Sequence, residues 1–236
     1  MGGVNAVTDP FFPTLVPVPD ELLSQRLLLR PLRAGDSDAM LKAIESSREN
    51  LEHWLVWPGR VHTLDAASNL CLRASARWIL REEMRFGVFA RDSGGLLGAV
   101  SLHDPDWTLR NFEVGYWLCD SAVGHGFAQE AVRLLTIVAF ELLDARRVSI
   151  LCDPRNIRSR QVAERAGFPL ETTLRNSSIN PQGSARDTLV FAAVTDDYER
   201  FRSAWQCEVT ISMSGLGGTV VIQNGFNDEN GDSLAT

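Results

Sequence analysis

Two glycines, in Gly124-His125-Gly126, stand between a strand-like run, Asn111 to Leu118, and an amphipathic helical run, Ala128 to Leu143. Glycine takes the positive φ that lets a chain curl tightly, and before a helix such a curl turns successive N–H groups toward one point. With the helix dipole these groups make an anion cradle that needs no basic side chain. The same glycines also suit a plain tight strand-to-helix turn, and a short glycine pattern does not separate the two readings. No Gly-Lys-Ser/Thr follows, so the loop is not a P-loop. A third glycine is missing and the preceding strand belongs to an antiparallel run, which argues against a dinucleotide fingerprint.

The flanking sequence sets the architecture around this loop. Pro10, Pro13, Pro17 and Pro19 mark residues 1–25 as an extended arm, because proline fixes its own φ and disfavours helix just before it. Arg26 to Pro31 reads as a first strand, and Ala34 to Ser47 as a helix with Asp36 or Ser37 near its start. Asn50 to Pro58, with Trp54 and Trp57, reads as a short helix or loop. Leu64 to Arg85 carries Leu70, Ala74, Trp78 and Ile79 at helical spacing.

The pattern then switches to strands. Phe86 to Ala90 and Leu96 to Leu102 flank the turn Asp92-Ser-Gly-Gly95, and Asn111 to Leu118 follows. Beyond the glycine loop and its helix come a buried strand, Val148 to Cys152, and a helix, Ser159 to Ala166, stopped by Gly167. Strands at Glu171–Leu174 and Asp187–Val194 complete the series. This order defines an α+β domain over residues 26–205, with a mixed, mostly antiparallel central sheet flanked by helices. Residues 206–236 lack Lys and Arg and are rich in Gly, Asn, Ser and Thr, with strand-like runs at Glu208–Ser212 and Gly218–Gln223. About thirty residues cannot bury a core alone, so this tail reads as a non-catalytic appendage.

Composition narrows the partners. With 30 acidic against 23 basic side chains the formal net charge is −7, which argues against nucleic acid and fits an amine-bearing partner better. Cys71, Cys119, Cys152 and Cys207 lie far apart without a CxxC pair, so neither a disulfide framework nor a metal site is expected. Scattered thiols suit the reducing cytoplasm. Residues 1–9 carry neither the basic nor the apolar stretch of a secretory signal, and Ala6 stands where a myristoylation motif needs Ser or Thr. The most apolar helical run, Leu134 to Leu143, is too short to cross a bilayer, so no membrane partner is expected. A homodimer is left open.

A second run, Asn156-Ile-Arg-Ser159 through Ala166-Gly167-Phe168, pairs with the glycine loop in order along the chain. Together the two runs resemble the GNAT acetyltransferase superfamily, and within it the RimJ/RimL group of ribosomal-protein N-acetyltransferases. Leu51-Glu-His-Trp-Leu-Val-Trp-Pro58 is similar to that group's tryptophan-rich stretch, and the likeness extends from about Arg26 to Arg202. The resemblance implies transfer of an acetyl group from acetyl-CoA to an amine, a protein N-terminus or a small molecule, by direct attack in a ternary complex. Trp117, Leu118 and Cys119 would present backbone groups to the pantetheine arm where the strand splays from its neighbour. Val123, Gly124, His125, Gly126, Phe127 and Ala128 would wrap the pyrophosphate. Asn156 would hydrogen-bond the cofactor arm, and Ser159 would face the thioester sulfur.

The chain also departs from the family pattern. Ser121 stands at the family's basic or Gln position before the first glycine. Ala163 takes the place of the tyrosine that serves many members as acid, leaving Ser159, and Ser178 falls where a RimL-type glutamate is expected. Glu113, at the head of the cofactor strand, is the candidate base; the alternative is a strand-edge carboxylate paired with Arg110. Trp54 and Trp57 either line the acceptor pocket or cap the core. His125 reads as solvent-facing, His53 and His103 as loop or surface residues, and Cys119 as a buried strand thiol. A catalytically weak acyl-CoA-binding regulatory module and a drug- or metabolite-modifying acyltransferase remain the competing readings.

Overall fold

The structure, a computed structural model, describes residues 11–205, 209–213 and 218–222. Its strands are β1 (Glu21–Leu23), β2 (Leu27–Pro31), β3 (Glu83–Ala90), β4 (Leu96–Asp106), β5 (Asn111–Leu118), β6 (Arg147–Cys152), β7 (Leu170–Ile179), β8 (Ala185–Val194), β9 (Val209–Met213) and β10 (Gly218–Ile222). They form one sheet in the order β10-β9-β1-β2-β3-β4-β5-β6-β8-β7. Six α-helices accompany it among the described residues: α1 (Ser37–Glu45), α2 (Arg48–Trp54), α3 (Leu64–Leu80), α4 (Phe127–Ile137), α5 (Ile157–Arg165) and α6 (Thr195–Arg202). This is the mixed, mostly antiparallel sheet expected from the sequence.

One strand pair breaks the antiparallel rule. β5 and β6 run parallel, and their register covers only Asn111, Phe112 and Glu113 against Arg147, Val148 and Ser149. Past Glu113 the ladder ends, so the rest of β5 carries backbone groups with no neighbour on that side. That opening positions the site.

Alternation decides what each face of the sheet sees. Met84, Phe86 and Val88 of β3, with Val100 and Leu102 of β4, are fully buried in the core cluster that includes Val132 and Leu135 of α4. Successive strand residues point to opposite faces, so Glu83 and Arg85 look the other way. A second cluster joins Leu32, Met40 and Ile44 to Ala67, Cys71 and Ala74 of α3.

Several boundaries differ from the sequence expectation. The helix expected to reach Arg85 stops at Leu80, because Arg81 takes a left-handed φ of 57° and its N–H caps the Arg77 and Trp78 carbonyls. The chain is then free to alternate, and β3 starts at Glu83. The run expected as one helix to Leu143 passes into a wider π turn at Val138–Leu142. α5 begins at Ile157 rather than Ser159, since the Asn156 side chain accepts from Ser159 N and caps it. Within the stretch read as an extended arm, Leu22 is fully buried in β1, which pairs with β2 and with β9. Val209 and Ile211 of the tail are fully buried as well, so these tail residues extend the sheet instead of standing apart. Cys207, Glu208 and Gln223 lie outside the described residues. Among the described residues no helix is long and apolar enough to cross a membrane.

Candidate active site

Gly124 and Gly126 take φ of +88° and +79°, the left-handed values that glycine alone adopts readily. They curl the chain into the N-terminus of α4, where the first N–H groups have no partner within the helix. Arg26 steadies the curl. Its Nη1 donates to the His125 carbonyl at 2.9 Å and its Nε to Glu130 Oε2 at 2.7 Å, while its guanidinium lies 4.8 Å from the Phe127 ring centroid. The result is a loop whose His125 carbonyl is held by Arg26.

A groove of about 350 Å³ runs from this loop along the free edge of β5. Of the residues expected at the cofactor, Trp117, Leu118, Val123, Gly124, Gly126, Phe127, Ala128, Asn156 and Ser159 line it. Cys119 is buried instead, and burial pushes its thiol above the ordinary range, which disfavours a nucleophilic thiolate. His125 is exposed. Asn156 has its Oδ1 engaged in capping α5, 3.0 Å from Ser159 N, so what it can offer a ligand is its amide N–H.

At the inner end of the groove the Tyr116 hydroxyl lies 2.9 Å from Ser159 Oγ and donates to the Ser159 carbonyl at 3.0 Å. Burial pushes the Tyr116 pKa well up, so this hydroxyl stays protonated as a donor. Ala163, which the resemblance sets where many members have tyrosine, is fully buried. Tyr116 thus brings a phenol to the groove from β5 rather than from α5. The sequence reading passed over it because the Tyr116–Ser159 contact depends on how far β5 and β6 part.

A second cavity of about 280 Å³ shares Leu55, Tyr116 and Trp117 with the first. Strand register arranges its floor: Glu83 faces His103, His103 faces Glu113, and in the next row Arg85 faces Ser101 and Ser101 faces Gly115. Glu83 is buried between Arg77 Nη1 at 3.0 Å and Arg85 Nη2 at 2.6 Å. His103 Nδ1 sits 3.0 Å from Asp104 Oδ2, and its Nε2 lies 3.6 Å from Glu113 Oε1.

Glu113 does not pair with Arg110, whose guanidinium lies over Phe11 and Trp107. Nor does it line either cavity; His103 lines the second. Burial raises the Glu113 pKa, with His103 opposing and Asp104 adding to the rise. The two tryptophans divide: Trp54 lines the first cavity, while Trp57 lines the second and packs edge-on against Trp117 at 5.5 Å.

A cleft opened by parting strands and closed by a helix N-terminus suits a ligand with an anionic end and a long, largely apolar arm. That is the shape of a thioester-dependent acyltransferase. The family model of the acetyltransferase (GNAT) domain matches residues 26–169, and the chain belongs to this family of acetyl-CoA-dependent N-acyltransferases. The chain is 30% identical over 182 residues to YjcK of Bacillus subtilis, named a probable N-acetyltransferase, a match covering 76% of this chain and 99% of that one. Among solved structures, one from Vibrio cholerae assigned as a ribosomal-protein-serine acetyltransferase is 29% identical with TM-score 0.66, covering 75% of this chain and 99% of the other. RimL, the ribosomal L7/L12 α-N-protein acetyltransferase solved with coenzyme A, shares the fold at TM-score 0.69 and 22% identity, covering 77% of this chain and 98% of its own.

Proposed function

We propose that the chain moves an acetyl group from acetyl-CoA to a protein N-terminal α-amine by direct attack in a ternary complex. The observation that carries this reading is the Tyr116–Ser159 hydroxyl pair, because Tyr116 lines both the groove and the cavity behind it. Val123 to Ala128 wrap the pyrophosphate, the Trp117 and Leu118 backbone meets the pantetheine arm, and the Asn156 amide steadies it; Cys119, buried with its N–H on the Leu97 carbonyl, stays out of the contact. Ser159 Oγ protonates the departing thiolate and Tyr116 holds that hydroxyl in place. Alignment of donor and acceptor supplies much of the rate, effective molarities reaching roughly 10⁵ M in well-oriented systems.

The relatives named for ribosomal-protein acetylation support a peptide α-amine as acceptor. A polycationic drug fits less well, since Arg77 and Arg85 both stand at the second cavity. The reading as an inactive binding module leans on Ala163 and Ser178, and the hydroxyl pair counters it.

The test is acetyl-CoA titration by calorimetry on the wild type and on a Gly124→Asp, Gly126→Asp double variant. Acetylation of peptide N-termini is followed in parallel by mass spectrometry. Binding abolished only in the variant, with CoA release in the presence of a peptide, is the expected result. A folded wild type that binds no acetyl-CoA sinks the proposal, and binding without transfer to any amine favours the inactive module.

A further inference from the structure

We infer that the second cavity receives the acceptor amine and that His103, backed by Glu113, takes its proton; the inference rests on the acetyltransfer reading above. The two cavities meet at Tyr116 and Trp117. An amine in the second therefore approaches the thioester from the face opposite the cofactor. Of the three candidate bases in that row of the sheet, Glu83 is held between Arg77 and Arg85 and Glu113 does not line the cavity, standing with Oε1 3.6 Å from His103 Nε2, which leaves His103 to act there.

Gly115 makes the space. A Cβ there would lie 2.8 Å from His103 Nε2, so any larger residue would drive the ring away. The bare backbone at Gly115, one residue before Tyr116, lets the imidazole lie over β5 where both residues line the second cavity.

The charges around His103 come from each element packed there: Glu83 and Arg85 of β3, Arg77 of α3, Asp104 of β4 and Glu113 of β5. Three carboxylates against two guanidiniums suit a single ammonium next to a peptide carbonyl, which Arg85 or Arg77 can accommodate. Trp57 and Leu55 supply the apolar wall for the first side chain of such a peptide.

The proton count closes. His103 takes one proton from the ammonium, and the neutral nitrogen forms a bond to the thioester carbonyl carbon. The C–S bond then breaks with its electron pair on sulfur. The thiolate is protonated through Ser159 Oγ as the nitrogen releases its second proton, which restores that hydroxyl by way of solvent. The imidazolium returns its proton to water past Asp104, whose side chain is 84% exposed.

The experiment compares two acceptors, the peptide amide Ser-Ala-Ala-NH2 and hydroxylamine, which is largely unprotonated at neutral pH and needs no base. In His103→Gln, kcat/KM for the peptide should fall by roughly 10²-fold or more, while the hydroxylamine rate and the acetyl-CoA Kd stay within about threefold. Glu113→Gln should give a smaller loss and move the acid limb of the peptide pH profile. Equal losses with both acceptors would mean that His103 only supports the structure, which overturns the assignment. So would an unchanged peptide rate and pH profile, or a wild type that binds acetyl-CoA yet acetylates neither acceptor. Absence of acetyl-CoA binding instead removes the acetyltransfer reading itself, so the two failures are told apart.

Discussion

The hydroxyls of Tyr116 and Ser159 meet at 2.9 Å across a gap of 43 residues in sequence, one from β5 and one from the first turn of α5. Each reaches the other because the parallel β5–β6 pair stops at Glu113 and leaves the strand tips apart. If the pair acts as one proton donor, its members are not independent. Ser159→Ala should lower kcat by roughly 10²-fold and Tyr116→Phe by roughly tenfold, and the double variant should lose little beyond Ser159→Ala. Steady-state kinetics on the four proteins checks this, with acetyl-CoA affinity as the control. Multiplicative losses would mean that the two hydroxyls serve separate purposes.

The glycine loop depends on a residue outside it. Arg26 ties the His125 carbonyl to Glu130 and covers the Phe127 ring. Its side chain is 46% exposed, so the ion pair itself contributes little to stability. Its effect should appear in cofactor binding. Arg26→Ala is expected to weaken acetyl-CoA affinity by roughly three- to tenfold, less than 1.5 kcal/mol, with Tm nearly unchanged. Calorimetry with a melting curve separates the two effects.

The central strands and the glycine turn were legible in the sequence because both rest on local rules. Asn111 to Gly115 alternates polar or small with apolar, and Gly124 and Gly126 mark a turn whatever surrounds them. The end of α3 was not legible, since Arg81 takes a left-handed conformation without being Gly or Asn. β1 was hidden by its prolines and its brevity; Leu22 is fixed by pairing with Leu29 and with Ile211, far along the chain. The site divides in the same way. The residues proposed to wrap the cofactor lie in one short run, whereas Tyr116 with Ser159 and His103 with Glu113 are brought together by strand register and splay.

Gly167 offers a test of the fold away from the groove. Its φ is +96°, and a Cβ would come within 2.7 Å of the Phe201 ring. That ring is stacked between Phe168 at 5.7 Å and Trp205 at 5.1 Å, so it has little freedom to swing aside. Gly167→Ala should therefore cost about 2 kcal/mol or more, from backbone strain and overpacking together. Thermal unfolding should shift down by about 4–8 °C. The kcat of the folded variant should stay close to wild type, because these rings do not line the groove. A variant as stable as the wild type would mean that Phe201 repacks without cost.

Acid sensitivity should trace in part to Asp36. Burial alone would raise its pKa, but the Arg30 guanidinium donates to both carboxylate oxygens, at 2.8 and 2.7 Å, and Arg33 N–H donates at 2.7 Å. These contacts outweigh burial and hold the carboxyl below its ordinary value. A carboxylate with a folded pKa below its unfolded one binds fewer protons in the native state, so its contribution is complete above the unfolded value. That contribution is lost as pH falls from the ordinary aspartate range, near 4, through the depressed folded value. Asp36→Asn leaves Arg30 without its carboxylate and should cost about 2 kcal/mol at neutral pH. The variant should also lose less stability than the wild type on acidification, so that the two curves of unfolding free energy converge toward low pH. Urea unfolding from neutral pH to below 4 measures both effects. Parallel curves would mean that Asp36 titrates alike in the folded and unfolded chain, and the Arg30 fork would then have no part in acid stability.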